Sequence, residues 1–369
     1  MVEELASGGS GIVYRVVDTR DGGELALKCL RSDKPDPRAI RLFRDEYHTL
    51  CQLTHPRIVS VYDYGLCESG AYYTMELLDG IDVREAAPLP VLDVCRLLRD
   101  VASALAMLHA RRLLHRDVSY RNVRCTASGC AKLIDFGAMT PLGIAAEVIG
   151  TPPFIPPEAL HGSALEPRAD LYSLGALAYW MLTARHAFPA TNLQVLQQLW
   201  AAKPPPAVSL LVESIPVELD RLVMSMLCQD PQGRPASAAE VMDRLGAIAQ
   251  LAPFEDIGVA AAYLAKPALV GRERERKRIR EYVKRDTDNA SRGPLLIEGA
   301  EGLGKTRLIE ELMIEAKLAG CVALAASQSA VSERYAVARD LLEQLLAEVP
   351  NALDTISSED RALLASQFS

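Results

Sequence analysis

The sequence lacks the cysteine spacing of a zinc or redox site and the long apolar run of a membrane helix. None of its eight cysteines forms a C-x-x-C pair, and no histidine lies near Cys125 and Cys130 to complete a zinc site. Reduced thiols in a cytoplasmic protein are therefore expected. The longest apolar stretch, Leu174 to Leu182, is far below the roughly 20 residues that span a bilayer. No charged-then-apolar leader opens the chain, so no signal peptide is expected.

The sequence also has fewer basic residues than acidic ones. The chain has 40 Lys and Arg against 48 Asp and Glu, a net charge of -8, which argues against nucleic acid as the main partner. Hydrophobic residues at 49% and charged residues at 24% are ordinary globular proportions. A length of 369 residues predicts two or three domains.

The first 250 residues change from β-rich to helical patterns. Strands are predicted at 11–17, 25–30, 58–64 and 71–77, with a helix at 38–53 between the second and third. From about residue 88 helices dominate, including 91–111 and a nearly apolar, buried helix at 169–183. This order predicts an α+β fold with two lobes, a small one at about 1–78 and a larger one at about 79–250. Ligands commonly bind in the cleft between two such lobes.

A second unit is predicted after a linker at 251–267. Strands at 294–298 and 321–326 would flank a loop and a helix at 305–318, which is the start of a parallel α/β unit. A further helix is expected at 335–348. No apolar strand ending in an acidic pair follows before Ser369, so the unit at 268–369 is expected to be incomplete.

Four short sequence patterns occur in order along the first unit. A glycine-rich turn between strands, 8–14, is followed by Lys28 on an apolar strand, and Glu46 on the next helix is its predicted partner. His115-Arg116-Asp117 with Asn122 follows the long helix, and Asp135-Phe136-Gly137 follows a strand. Alone, the glycine turn is consistent with an ordinary hairpin and Lys28 with a solvated edge lysine. The ordered set resembles the protein kinase family through residues 5 to about 245.

The resemblance implies catalytic roles for named residues. Lys28, held by Glu46, would bind the α and β phosphates of ATP, and Asp117 would orient the substrate hydroxyl and accept its proton. Asn122 and Asp135 would hold Mg²⁺. The resemblance further implies that Asp170 braces the catalytic loop and that Arg234 pairs with Glu158.

The ATP pocket implied by the same resemblance draws on the glycine turn, the strands beside it and the connection between the lobes. Met75 would guard the back of the adenine site and Glu76 to Leu78 would form the hinge, although a half-buried strand end is the alternative for these. The full set of nucleotide-contacting residues is Ala6, Ser7, Gly8, Gly9, Ser10, Gly11, Val13, Ala26, Lys28, Met75, Glu76 and Leu78.

Several positions depart from the kinase pattern. Ala6 replaces the first glycine of the turn, so weaker ATP binding is expected, and the first strand of the small lobe is expected to be nearly missing. Ser119 stands where serine/threonine kinases usually carry a lysine, and Arg121 lies where many tyrosine kinases carry a compensating arginine. The sequence after Thr151 favours serine/threonine specificity. Thr140 is the one obvious phosphorylation candidate in the activation segment, so we expect control mainly by the attached unit.

Residues 299–306 match the P-loop pattern G-x-x-x-x-G-K-[ST]. Backbone amides after Gly299 and at Gly304 would wrap phosphates, Lys305 would reach the β and γ positions, and Thr306 would ligate Mg²⁺. The alternative is a glycine turn that caps a basic helix. Together with 269–273 this segment resembles AAA-type signalling ATPases. The basic run 272–280 is expected to be a solvated helix face.

The sequence therefore predicts a serine/threonine kinase that acts on protein substrates with ATP and Mg²⁺ and is joined to a P-loop regulatory domain. Three alternatives remain: an ATP-binding pseudokinase or scaffold, a tyrosine or dual-specificity kinase, and an ATPase with a regulatory kinase appendage.

Overall fold

The computed structural model describes residues 3–8, 11–30, 37–67, 70–144, 147–252, 272–284, 294–300, 302–326, 336–349 and 352. The predicted linker lies outside the described residues except for 251 and 252, as do Gly9 and Ser10 of the glycine turn. Each helix in the part of the chain that the structure describes is too short or too polar to cross a membrane.

A five-stranded antiparallel sheet forms the small lobe, with strand order β1-β2-β3-β5-β4. Buried and part-exposed residues alternate along β5, as expected for a strand with one face on a core. Helix α1 packs on that face through Phe43, Tyr47 and Leu50. The bounds are β1 (Glu3–Gly8), β2 (Gly11–Val17), β3 (Glu24–Cys29), α1 (Pro37–Gln52), β4 (Val61–Cys67) and β5 (Gly70–Glu76).

Two predictions for this sheet were wrong. The first strand is present: β1 has six residues and pairs with β2 from Glu3↔Arg15 to Gly8↔Gly11, with an irregularity between Glu4 and Ala6. The fourth strand begins at Val61 and not at residue 58. Ile58 instead bridges Leu133 in the large lobe, and the Val59 N–H donates to the Leu133 carbonyl at 3.0 Å. The start of the apolar run 58–64 thus pairs with the large lobe, and its remainder forms β4 of the small lobe. The alternation of apolar residues in the sequence does not show this division.

Helices build the large lobe around α3 and α5. The predicted buried helix is α5, whose residues from Ala169 to Tyr179 are buried on every side. The helices are α2 (Val83–Ala86), α3 (Val91–Ala110), α4 (Pro157–Leu160), α5 (Pro167–Thr183), α6 (Leu193–Ala202), α7 (Val217–Met226) and α8 (Ala238–Ile248).

Short antiparallel strand pairs hold the loops that face the small lobe. The pairs are β6 (Leu113–Leu114) with β9 (Thr140–Pro141), β7 (Val123–Cys125) with β8 (Ala131–Leu133), and β10 (Gly143–Ile144) with β11 (Ala164–Leu165). The catalytic-loop residues 115–122 and the tripeptide 135–137 therefore start and end at fixed strands.

The second unit contributes helices α9 (Glu273–Lys284), α10 (Lys305–Leu318) and α11 (Ala336–Glu348). The predicted helix at 305–318 is confirmed. The predicted strands at 294–298 and 321–326 are not: neither segment joins a ladder with another described residue, and Leu296 is 76% exposed. A strand needs a hydrogen-bonded partner strand, and neither segment has one among the described residues.

Candidate functional site

The centre of the candidate site is a buried ion pair between β3 and α1. Lys28 Nζ lies 2.8 Å from Glu46 Oε1 and 3.0 Å from Oε2. The two residues are only 4% and 5% exposed, so neither charge is shared with solvent. Tyr73 Oη, from the neighbouring strand β5, donates to Glu46 Oε1 at 3.0 Å. The predicted contact between Lys28 and Glu46 is thus present, and Tyr73 is a partner that sequence reasoning missed.

Burial and opposite charge act against each other in this pair. Burial alone would lower the pKa of Lys28, but the attraction of Glu46 and Asp135 outweighs it and the pKa is raised. The pKa of Glu46 is also raised, because burial outweighs the attraction of Lys28. Lys28 therefore stays cationic, as a phosphate-binding lysine must.

Asp135 brings a second carboxylate to the same lysine. Its Oδ1 lies 3.5 Å from Lys28 Nζ, and its side chain is 34% exposed. Asp135 has a positive φ of 59°, and the next residue, Phe136, is buried with its ring edge-on to His115 at 4.9 Å. The Phe136 N–H donates to Glu46 Oε1 at 3.3 Å. The tripeptide 135–137 is thereby fixed to α1 as well as to the large lobe.

Asp170, buried at the start of α5, holds the backbone of the catalytic loop. Its carboxylate accepts from His115 N at 3.0 Å, Arg116 N at 2.8 Å and His109 Nε2 at 2.9 Å. Burial raises the pKa of Asp170, but the hydrogen bond and charge of His109 and the backbone donors outweigh it, so the pKa is lowered. The expected brace is present, and His109 on α3 is a member that sequence reasoning missed. Arg116 has a φ of 68°, a strained conformation that this brace maintains.

Asp117 is positioned by hydrogen bonds to both carboxylate oxygens. Asn122 Nδ2 donates to Asp117 Oδ2 at 2.8 Å and to its backbone carbonyl at 2.9 Å. Thr151 donates to Asp117 Oδ1 from its amide at 2.9 Å and from its hydroxyl at 3.0 Å. The activation segment thus reaches the catalytic loop through Thr151.

Ser119 and Arg121 belong to the same loop but differ in their exposure to solvent. Ser119 is fully buried, and its Oγ accepts from the Arg121 N–H at 3.3 Å. The Arg121 side chain is exposed and forms no ion pair among the described residues. The structure therefore does not bring its guanidinium into contact with Asp117, Asn122 or Asp135.

The residues expected around adenine lie on the adjacent strands β2, β3 and β5. Ala26 and Met75 face each other in the β3–β5 register and are both buried. Val13 packs against the same core. The Glu76 carboxylate is bound by Lys132 Nζ at 2.6 and 2.7 Å and by Ser60 N at 2.8 Å. The Glu76 N–H donates to the Ser60 carbonyl at 3.0 Å, so neither the Glu76 side chain nor its N–H is left for a hinge role.

The glycine turn has one position where glycine is obligatory. A Cβ on Gly11 would lie 2.3 Å from the Cys29 carbonyl oxygen, and the residue has a φ of 153°. Ala6 and Ser7 are exposed on β1 and pair with Val13 and Ile12. Gly8 ends this strand opposite Gly11. Ala6 is therefore an exposed strand residue next to the irregularity between Glu4 and Ala6.

The P-loop segment forms a glycine turn at the start of α10. Gly302 and Gly304 both have a φ of 79°, and Gly304 is the residue before the helix. Lys305 Nζ donates to the carbonyls of Gly299 at 2.8 Å and Ala300 at 2.9 Å. Thr306 is exposed. The predicted P-loop residues thus lie together, with the lysine folded over its own loop.

Comparisons with known proteins agree with this geometry. Residues 1–244 match the family model described as protein kinase domain, and residues 268–368 match the model described as AAA ATPase domain. The chain is 32% identical over 252 residues to the serine/threonine-protein kinase PknB of Mycobacterium leprae, covering 64% of this chain and 40% of that protein. It is 32% identical over 269 residues to PknL of Mycobacterium tuberculosis, covering 70% of this chain and 67% of that protein.

A third relative, PknA of Mycobacterium tuberculosis, is 31% identical over 259 residues, which are 66% of this chain and 59% of that protein. Each of these matches spans only part of the relative. The kinase model, by contrast, covers well over half of this chain, in the region that contains the buried lysine pair and the braced loop. The chain therefore belongs to the protein kinase family and carries an AAA ATPase domain behind its kinase domain.

Proposed function

We propose that the kinase domain transfers the γ-phosphoryl group of ATP to serine or threonine hydroxyls of protein substrates. The observation that carries the proposal is the convergence of Glu46 and Asp135 on one buried cation, with Lys28 Nζ 2.8 Å from the first carboxylate and 3.5 Å from the second. Phosphoryl transfer relies on positioning and charge neutralisation more than on covalent chemistry. A lysine held cationic at the cleft meets that need.

Asp117 is the residue proposed to receive the substrate hydroxyl. Its orientation is set by Asn122 on one oxygen and Thr151 on the other. A carboxylate fixed in this way would align the hydroxyl for in-line attack and take its proton as the new bond to phosphorus forms. Because Thr151 belongs to the activation segment, the position of that segment would determine whether Asp117 is correctly aimed.

The side chains present fit a magnesium ion. Asn122 uses Nδ2 for Asp117, which leaves its Oδ1 as a ligand, and Asp135 offers a part-exposed carboxylate. Hard oxygen donors of this kind are those that Mg²⁺ prefers. Asn122 and Asp135 would hold the ion, which when bound neutralises charge on the phosphates. At the P-loop, the exposed Thr306 hydroxyl would serve the same purpose, and Lys305 would exchange its loop carbonyls for phosphate oxygens.

Serine/threonine specificity is supported by the three relatives named above, which are all serine/threonine-protein kinases. Ser119 and the exposed Arg121 point towards the tyrosine pattern, which keeps dual specificity as an alternative. Phosphoamino-acid analysis of the product distinguishes the two. No two of the eight cysteines pair in a disulfide, which is consistent with the proposed cytoplasmic location.

The decisive experiment compares the wild type with Asp117→Asn in a phosphate-transfer assay with Mg²⁺, ATP and a generic basic protein substrate. We expect the variant to lose at least about two orders of magnitude in rate, the range of a general base. Asp243→Asn, at an exposed position on α8, is the matched control and should retain full activity. Equal incorporation by the wild type and Asp117→Asn would refute the proposal. Nucleotide-dependent thermal stabilisation without turnover would favour the pseudokinase.

A further inference from the structure

Helix α10 of the AAA domain lies on the small lobe with one face buried. Glu311, Glu315 and Leu318 are 5%, 8% and 7% exposed, and their spacing places them on one side of the helix. Leu318 belongs to the hydrophobic core of the kinase domain, and Ile314 packs against the same core. Buried carboxylates need partners, so the surroundings of Glu311 and Glu315 show what this face is built to meet.

Glu311 is bound by α1 of the kinase domain. His48 Nε2 lies 3.2 Å from Glu311 Oε1, and Gln52 Nε2 lies 3.2 Å from Oε2. A second link joins Lys317 Nζ to Asp63 Oδ1 on β4 at 2.9 Å. We call the contacts that join α10 to α1 and β4 the α1–α10 interface.

Helix α9 supplies two arginines that pair with Glu311 and Glu315 of α10. Arg276 Nε lies 2.7 Å from Glu311 Oε1, and Arg280 Nε lies 2.6 Å from Glu315 Oε1. The basic run was expected to be a solvated face, but these two arginines point at buried carboxylates. His48, Glu311 and Glu315 also have the spacing of a three-ligand metal cluster. The arginines already neutralise both carboxylates, so the cluster is an ion-pair network.

The interface is polar and incompletely packed. A cavity of about 310 Å³ lies beside it, lined by Arg41, Arg44, Asp45 and His48 of α1 together with Arg280 and Glu315. Polar contacts of this kind resemble those between domains that move relative to one another. Separation of the two helices would break the polar contacts of Glu311 and expose Leu318, which also lines the cavity.

The same helix pair connects the two nucleotide sites. Glu46 and His48 are two residues apart on α1, so one faces Lys28 and the other faces α10. On α10, Lys305 and Thr306 open the helix and Glu311 lies six residues after Lys305, a distance of about 9 Å along a helix. A displacement of α10 at the P-loop would therefore act on the helix that carries Glu46 through the contacts of Glu311 with His48 and Gln52.

We propose that α10 docked on α1 couples nucleotide binding at the P-loop to the position of Glu46, and thereby to phosphate binding in the kinase cleft. The proposal rests on the kinase function proposed above, because it takes Lys28 and Glu46 as the phosphate-binding pair. Coupling of this kind is reciprocal: nucleotide in the kinase cleft would change affinity at the P-loop by the same factor.

The docking is tested by hydrogen exchange of residues 37–52 in the full chain. We expect His48→Ala and Glu311→Gln each to raise exchange there about fivefold or more, with the double variant no faster than the faster single one because both break the same contact. Glu310→Gln is the control, because Glu310 pairs with Arg307 on the same helix at 3.7 Å. Exchange in α5 should stay unchanged, showing that the large lobe is folded. Wild-type exchange in both His48→Ala and Glu311→Gln would overturn the docking.

The nucleotide coupling is tested with a non-hydrolysable ATP analogue and Mg²⁺. Protection of residues 37–52 on adding the analogue should differ about fivefold between the wild type and Lys305→Ala, while Lys277→Ala, an exposed lysine on α9, should behave as the wild type. The kinase cleft is unchanged in all three chains, so a difference must come from the P-loop. Equal protection in all three would overturn the coupling. Neither measurement requires phosphate transfer, so failure of the proposed function would be seen separately.

Discussion

Glu158 and Arg234 lie 76 residues apart in sequence, and their side chains make two parallel hydrogen bonds of 2.6 and 2.8 Å inside the large lobe. The Arg234 guanidinium also donates to the carbonyls of Cys228, Arg168 and Gln229. The acceptors of the Arg234 guanidinium thus lie in α4, in the first turn of α5 and in the loop between α7 and α8. The pair ties the end of the activation segment to the rest of the large lobe.

Glu158→Ala should lower the free energy of unfolding by about 3–5 kcal/mol, because it leaves the buried guanidinium without its counter-charge. Urea denaturation followed by tryptophan fluorescence measures the change, since Trp180 and Trp200 both lie in this lobe. Glu24→Ala removes an exposed pair with Arg15 at 3.3 Å and should cost less than about 1 kcal/mol. A similar cost for both variants would contradict the assigned role of the buried pair.

Gly11→Ala should destabilise the small lobe, because the new Cβ would lie 2.3 Å from the Cys29 carbonyl oxygen at a φ that alanine avoids. Strain of this kind costs about 1–3 kcal/mol, to which the clash adds. Gly246→Ala is the control. That glycine lies in α8 with no atom within 4 Å of the added carbon, so the change should stabilise the chain by about 0.4–1 kcal/mol. Thermal denaturation should therefore shift in opposite directions.

The pKa of Glu311 sets an acid-sensitive contribution to stability. Burial raises this pKa, but His48 and Arg276 outweigh it and lower it from 4.5 to about 2. A depressed carboxyl pKa stabilises the folded state above about pH 4.5, and the contribution, up to about 3 kcal/mol, is lost as pH falls towards 2. The stability difference between wild type and Glu311→Gln should therefore shrink across this window. Circular dichroism during acid titration measures it, and a constant difference would be inconsistent with the shift.

Arg121→Gln tests whether the exposed arginine replaces the lysine that Ser119 displaces. If the guanidinium contacts the γ-phosphate only when ATP is bound, kcat should fall about tenfold or more, because the lost interaction belongs to the transition state. KM for ATP should change little. Arg221→Gln, exposed on α7, is the matched control. An unchanged kcat in Arg121→Gln would show that this kinase works without a basic group in the 119–121 segment.

The ordered motifs made the candidate site predictable, because Lys28, Glu46, Asp117 and Asp135 were identified from the order and spacing of the motifs. The donors that complete the centre were not predictable. Tyr73 and His109 reach Glu46 and Asp170 only after β5 and α3 have packed, and nothing local to either residue indicates such a partner.

Long-range packing also explains the errors in the fold. Ile58 and Val59 continue an apolar alternation but pair with Leu133 across the lobes, so the strand starts later than its pattern indicates. The predicted strand at 294–298 has the composition of a strand but no described neighbour to pair with. The sequence carries no local signal that Glu311 is buried, because the histidine that contacts it lies 263 residues away in sequence.

The carboxylate of Glu46 is shared by Lys28, Tyr73 and the Phe136 amide, which come from β3, β5 and the 135–137 tripeptide. An outward swing of α1 cannot release these donors one at a time, since they converge on a single group. We therefore expect any outward movement of the helix to be an all-or-none step and not a gradual one. An inhibitor that requires the displaced helix would meet only the minor conformer, and its apparent affinity would be reduced by the fraction of molecules in that state.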